Sequence, residues 1–236
     1  MNDIPLGFRV FTVGSDYYCY IPIPKVACTY MGQAIPGHAF DVWNWRWYHS
    51  DETPPMKSKM KYLVLLRNPI ERWITGVVEY WYARPPDRDW NLHDLVDIFN
   101  QIDFDTHTKP QVDFLTMIDS SRTIWLWMTH QIEKISWFQE KGVMLNAVPA
   151  RARNENIFRG QLYFSREGNI VDRSTPGSIR GIHSEVIKKN ITKQIKTNKQ
   201  YLAKIARYYQ KDFDLINSVK FHNNDDFRRF HVDYQD

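Results

Sequence analysis

A lysine, an arginine and two hydroxyl residues stand at spacings that can hold an anion. In "IPIPKVACTYM" (21–31) an apolar alternating run stops at Pro24. Lys25, the small patch Val26, Ala27 and Cys28, and the hydroxyl of Thr29 then open a predicted helix. This is the layout of a strand-to-helix phosphate loop, in which backbone N–H groups and a point charge favour an anion. The competing reading is a surface lysine after a strand. The Walker pattern G-x-x-x-x-G-K-[ST] is absent, which discounts an ATPase or GTPase of that type. A second turn repeats the layout. Arg67 closes the apolar run "KYLVLL" (61–66), and Thr75 lies two turns into the following helix, on the face of Asn68. An arginine fork and a hydroxyl can converge on one tetrahedral anion; the competing reading is an arginine paired with a nearby carboxylate. Two anion sites on neighbouring strand ends suit a nucleotide with phosphates at both ends.

The elements that must position these residues alternate between strands and helices. "YYCYIPI" and "KYLVLL" have the continuous apolar character of strands inside a parallel sheet, and "IWLWM" (124–128) predicts a third. A helix is expected from Cys28 to about Ala34, closed by Pro36 and Gly37. The next carries Asn68 as cap, Pro69 at its first position and Glu71 as capping-box partner, and stops at "RPPD" (84–87). Further helices are expected over 91–101, from His130 to Lys141 ended by Gly142, and from Ser184 to Asn217 as one long helix. Ile191, Ile195, Asn198, Leu202, Ile205, Tyr209 and Ile216 mark the inner face of that last helix. Residues 146–182 have the composition of a hairpin with long loops. The order predicts an α/β fold with a parallel sheet and helices on both faces, its ligand beyond the carboxyl ends of the strands.

The 236 residues predict one domain over 1–236 with a substantial core. A net charge of +4 suits an anionic small molecule or acidic polymer and is too small to argue for nucleic acid. Two cysteines, Cys19 and Cys28, make no disulfide framework and fit a reducing compartment or no redox constraint at all. "MNDIPLGFRV" has no basic start followed by an apolar run, and no window approaches a membrane span. The expectation is a cytoplasmic protein.

"PKVACT", followed some forty residues later by "LVLLRNPIERWITGVVEYW", resembles the PAPS-dependent sulfotransferases, and more closely the carbohydrate type (sulfotransferase family 2) found as Golgi membrane enzymes. Those enzymes carry P-K-x-[AG]-[CGS]-T and R-[DN]-P-x-x-R-x-x-S. "DTHTKPQVDFL" (105–115) is similar to their H-x-x-P-Q segment, and "LAKIARYYQKDFDLI" (202–216) to their C-terminal helix. The resemblance implies a three-layer P-loop-like fold with a central parallel sheet flanked by helices. It implies that Lys25, Val26, Ala27, Cys28 and Thr29 hold the 5′-phosphosulfate of PAPS, and that Arg67 and Thr75 hold its 3′-phosphate. The family usually has serine at the position of Thr75, and the hydroxyl is kept. No metal is expected. The Golgi relatives carry a membrane anchor and often disulfides, features not read in this sequence; a small or cytoplasmic acceptor would fit that difference.

The implied reaction is in-line transfer of a sulfonyl group to an acceptor hydroxyl, with a carbohydrate as the expected acceptor. It needs a base, a cation at the bridging phosphate oxygen and an aligned acceptor. Lys25 is the candidate cation. His49 is the first candidate base and Glu52 the second, with His38 and Asp51 behind them. His107 and Gln111 are expected to shape the acceptor pocket. Trp43, Trp45, Trp47 and Tyr48 offer either core packing or a platform for sugar rings, with Trp47 the candidate acceptor contact. The lysines from Lys188 to Lys211 form either a solvated helix face or a surface for an acidic polysaccharide. Arg173, Ser174 and Arg180 are candidates for a late loop over the nucleotide. The rival function is a nucleotide or small-molecule kinase on a P-loop-type fold; against it, "LVLL" ends in Arg67 where a Walker-B acid would stand.

Overall fold

The computed structural model describes residues 8–40, 60–83, 99–104, 106–116, 118–128, 132–147 and 179–223. Five strands form one sheet: β1 (Phe8–Val13), β2 (Asp16–Ile21), β3 (His38–Phe40), β4 (Met60–Leu66) and β5 (Thr123–Trp127), in the spatial order β3-β1-β2-β4-β5. The three strands expected from their apolar runs, β2, β4 and β5, are parallel neighbours. The sheet as a whole is mixed, because β1 pairs antiparallel with both β2 and β3. The reason is local. Val13 pairs with Asp16 across the two residues Gly14 and Ser15, and so short a turn joins only antiparallel strands. Gly14, at φ 60°, supplies the left-handed backbone that this turn needs.

Every residue of β4 except Lys61 is buried, so the strand is covered on both faces, as its unbroken apolar run requires. Around it gathers a core that includes Tyr18, Tyr20, Met31, Ile35, Trp125, Leu126, Trp137 and Phe138. The Tyr18 ring stacks on Phe11 at 5.5 Å and meets the edge of Trp137 at 5.4 Å.

Helix α1 (Cys28–Ala34) follows the β2 turn, and α2 (Pro69–Ala83) follows β4. Asn68 caps α2 as expected: its Oδ1 accepts from the N–H groups of Ile70 at 2.9 Å and Glu71 at 3.3 Å. Trp73, Ile74 and Val77 of α2 pack in a second cluster with Phe99, Ile191, Ile195, Ile205, Tyr209 and Phe213.

Two expected helices are broken. The one expected from His130 to Lys141 is, within the described residues, a 3-10 turn (Ile132–Lys134) and the short α3 (Ser136–Glu140), separated by the extended Ile135. Gly142 ends it at φ 63°. The long terminal helix is three: α4 (Ile179–Thr197), α5 (Lys199–Tyr208) and α6 (Gln210–Ser218). Asn198 is not on the inner face but is the cap of α5, its side chain accepting from Gln200 N–H at 3.0 Å. A side-chain acceptor that competes with the helix ladder favours such a break.

Among the described residues, no helix is long and apolar enough to cross a membrane. After α6 the chain returns to β5, where Phe221 bridges Trp125 and the Asn223 side chain pairs with both backbone groups of Trp127, at 2.7 and 2.8 Å.

Candidate functional site

Because β2 and β4 are parallel and adjacent, the turn after β2 and Arg67 after β4 leave the sheet at the same edge. The first turn is tight. Val26 N–H closes on the Ile23 carbonyl at 3.1 Å, and Met31 N–H reaches the Ala27 carbonyl at 2.9 Å. Lys25 (φ 63°) and Ala27 (φ 51°) both occupy the left-handed region, while Val26 between them does not. Each such residue costs about 1–2 kcal/mol without glycine's freedom. Alternating the sign of φ turns consecutive N–H groups toward one concave side, the backbone arrangement that receives anions. Thr29 is the second residue of α1. Cys28 is half-buried.

Arg67 ties the two turns together. Its Nη1 donates to the Lys25 carbonyl at 3.2 Å, and its Nε lies 3.6 Å from Glu71 Oε2. The competing reading, pairing with a nearby carboxylate, is therefore present, and the same guanidinium also reaches the turn after β2, a contact that the sequence did not suggest. Arg67 is largely buried, which lowers its pKa from the ordinary guanidinium value, against the raising effect of Glu71. Thr75 lies where the helix places it, but its hydroxyl donates to the Glu71 carbonyl at 2.9 Å. Contact with an anion would require that hydroxyl to rotate away from the helix backbone.

Arg72 was not among the expected site residues, although it is the second arginine of "RNPIER". It is fully buried. Its Nε donates to the Pro24 carbonyl at 2.8 Å, Nη1 donates to the Lys109 carbonyl, and the guanidinium lies 5.7 Å from the Phe114 ring centre. Burial lowers its pKa from the ordinary value, while the charge of Asp212 acts in the opposite direction.

The segment with His107 and Gln111 packs behind these turns. Gln111 is fully buried. Its Oε1 accepts from Arg67 N–H at 3.0 Å, and its Nε2 donates to the Arg67 carbonyl at 2.9 Å. The carboxamide is wholly engaged inside the protein, so Gln111 fixes Arg67 and reaches any acceptor only through it. Asp212 of α6 in turn holds Gln111. Its carboxylate accepts from Gln111 N–H at 2.8 Å, Gln111 Nε2 at 3.3 Å and Val112 N–H at 3.0 Å. Burial raises the Asp212 pKa, and the hydrogen bonds from Gln111 and Val112 and the charge of Arg72 oppose that rise. The Tyr209 hydroxyl donates to the Thr108 carbonyl. His107 is half-buried, and its carbonyl lies against Gly76 of α2, where an added Cβ would come within 2.4 Å of it. Asp212 and Tyr209 stand in the "YYQKDF" stretch, whose likeness to a family helix was visible; their contacts were not.

His49, Glu52 and Asp51, the aromatic run Trp43, Trp45, Trp47 and Tyr48, and Arg173 and Ser174 lie outside the described residues, as does most of the expected 146–182 hairpin. His38 is in β3, opposite Val10. Arg180 falls in the first turn of α4, a helix rather than a loop. Lys188, Lys189, Lys193 and Lys196 are exposed on α4 beside a shallow groove of about 440 Å³ that none of the strand-end residues lines. Among the described residues, no group of three or more His, Cys, Asp or Glu side chains could hold a metal ion.

No protein-family model matches the chain, and neither the curated proteins nor the solved structures contain a significant match.

Proposed function

We propose that this chain is a PAPS-dependent sulfotransferase on a three-layer P-loop-like fold, moving a sulfonyl group to a hydroxyl of a carbohydrate acceptor. The observation that carries the reading is the joining of the two anion-type turns. Lys25 and Ala27 hold left-handed backbone at the end of β2, and Arg67 at the end of β4 donates to the Lys25 carbonyl at 3.2 Å. The 5′-phosphosulfate would meet Lys25 and the N–H groups of 27–29, the Val26 N–H being held by the Ile23 carbonyl, and the 3′-phosphate would meet Arg67 and a rotated Thr75.

In the transfer, the acceptor oxygen forms a bond to sulfur as the bond from sulfur to the bridging phosphate oxygen breaks. The acceptor proton passes to a base, with His49 first and Glu52 second in order of preference. The electron pair of the broken bond stays on the phosphate of PAP, where Lys25 offsets the growing charge. His107 and Trp47 remain the proposed acceptor contacts, and Gln111 contributes by holding Arg67.

The test is release of PAP from PAPS across a panel of carbohydrate acceptors, with EDTA present. Acceptor-dependent release that Lys25→Ala lowers by about a hundredfold or more supports the reading. Turnover of ATP with a magnesium requirement, and none of PAPS, replaces it with the kinase.

A further inference from the structure

We propose that Arg72 is a positioning residue for Lys25, acting through the Pro24 carbonyl; the ligand part of this inference rests on the sulfotransferase reading. Lys25 lies between two peptide planes, and two arginines, one just before α2 and one in its first turn, hold both. Arg72 Nε donates to the Pro24 carbonyl at 2.8 Å, on the plane before Lys25. Arg67 Nη1 donates to the Lys25 carbonyl at 3.2 Å, on the plane after it. Fixing both planes fixes φ and ψ of the residue between them. That residue sits at φ 63°, a conformation it would not hold by preference.

The surroundings of Arg72 fit this task better than a packing role. The side chain is fully buried, and its Nη2 has no hydrogen-bond partner among the described residues. Its two acceptors, the carbonyls of Pro24 and Lys109, are neutral. Asp212 acts on its charge through space, but no ion pair joins them among the described residues. A buried cation held this way is costly, and an apolar side chain of similar volume would fill the space at lower cost. No apolar side chain could hold the Pro24 carbonyl. The Lys109 bond ties the same guanidinium to the segment carrying Gln111, so one side chain links α2, the Lys25 turn and the 107–111 loop.

The test compares three nucleotides by calorimetry on the parent and on Arg72→Lys: AMP, carrying only the 5′-phosphate; 3′-AMP, carrying only the 3′-phosphate; and PAP, carrying both. If Arg72 acts through the Lys25 turn, AMP and PAP weaken by roughly tenfold to a hundredfold, the size of a lost charge-assisted hydrogen bond. Binding of 3′-AMP stays within about twofold. Unchanged AMP binding, or equal weakening of all three, overturns the proposal.

If Arg72→Lys does not fold, Phe114→Leu takes its place, since it loosens the guanidinium without removing it. The same selective loss supports the proposal, and an even loss or none overturns it. A parent that binds none of the three sinks the sulfotransferase reading, and amide hydrogen exchange then decides the role of Arg72 without ligand. Faster exchange in Arg72→Lys confined to residues 22–31, with 179–218 unchanged, supports it; unchanged exchange in 22–31 overturns it.

Discussion

The Gln111 carboxamide pairs with the backbone of Arg67 as a neighbouring strand would, accepting from its N–H at 3.0 Å and donating to its carbonyl at 2.9 Å. Asn223 does the same for Trp127 at the end of β5. At the carboxyl edge the ladder runs out and buried backbone groups still need partners. Side-chain amides, which carry both a donor and an acceptor, supply them. At β4 the device has a further consequence. It fixes the backbone of the arginine whose guanidinium holds Lys25, and Asp212 fixes the amide.

Removing that amide leaves two part-buried backbone groups of Arg67 without their partner and deprives Asp212 of a donor. Gln111→Ala is expected to lower stability by about 2–4 kcal/mol. Gln111→Glu keeps an acceptor, loses the donor and sets a second carboxylate beside Asp212, so it should fare no better. Urea unfolding of the two variants checks this; a loss within experimental error of zero would mean that the pairing contributes nothing.

The left-handed turn gives a prediction of opposite sign. At φ 51° Ala27 carries a strain that glycine does not. Ala27→Gly is expected to leave stability unchanged or raise it by up to about 1 kcal/mol. Ala27→Val adds a β-branched side chain to the same backbone and should cost about 2 kcal/mol or more. Thermal unfolding of the pair measures the difference, and equal behaviour of the two variants would speak against a left-handed Ala27.

Much of this architecture was legible in the sequence. The apolar runs at 18–23, 61–66 and 124–128 became the three parallel strands, since burial on both faces leaves an unbroken apolar signal. The Asn68–Pro69 start of α2 was equally plain, because a cap is a local device. The antiparallel edge was missed. "FRVFTV" alternates only partly, and the signal that could have found it was the Gly14–Ser15 pair between two β-rich runs. The break at Asn198 was hidden by helical spacing that continues across it.

The positions of the turns carrying Lys25 and Arg67 could be read from the ends of the apolar runs. The contacts of Arg72, Gln111 and Asp212 could not. Gln111 and Asp212 are 101 residues apart, and their pairing depends on how α6 returns to the sheet edge. No periodicity records such a contact.

A pH effect follows from His222. His222 is exposed, but partial desolvation still lowers its pKa below the ordinary 6.5, helped by Lys220 and Lys141 and opposed by Glu140. The unfolded chain therefore binds the proton at higher pH than the folded protein does. The stability associated with His222 is present above the ordinary histidine pKa and is lost as pH falls through the folded value. Urea midpoints measured between about pH 7.5 and pH 5 should decline, and His222→Gln should remove part of that decline. An identical pH profile in the variant would contradict the lowered pKa of His222.

In the proposed function, the turns ending β2 and β4 form one site for a nucleotide phosphorylated at both ends. Calorimetric titration with PAP, on the parent and on Arg67→Ala, tests it most directly, because PAP is stable and needs no acceptor. The expected result is binding by the parent that is lost in Arg67→Ala, with both proteins shown to be folded by circular dichroism. Failure of the parent to bind PAP, with ATP or ADP binding in its place, would contradict it.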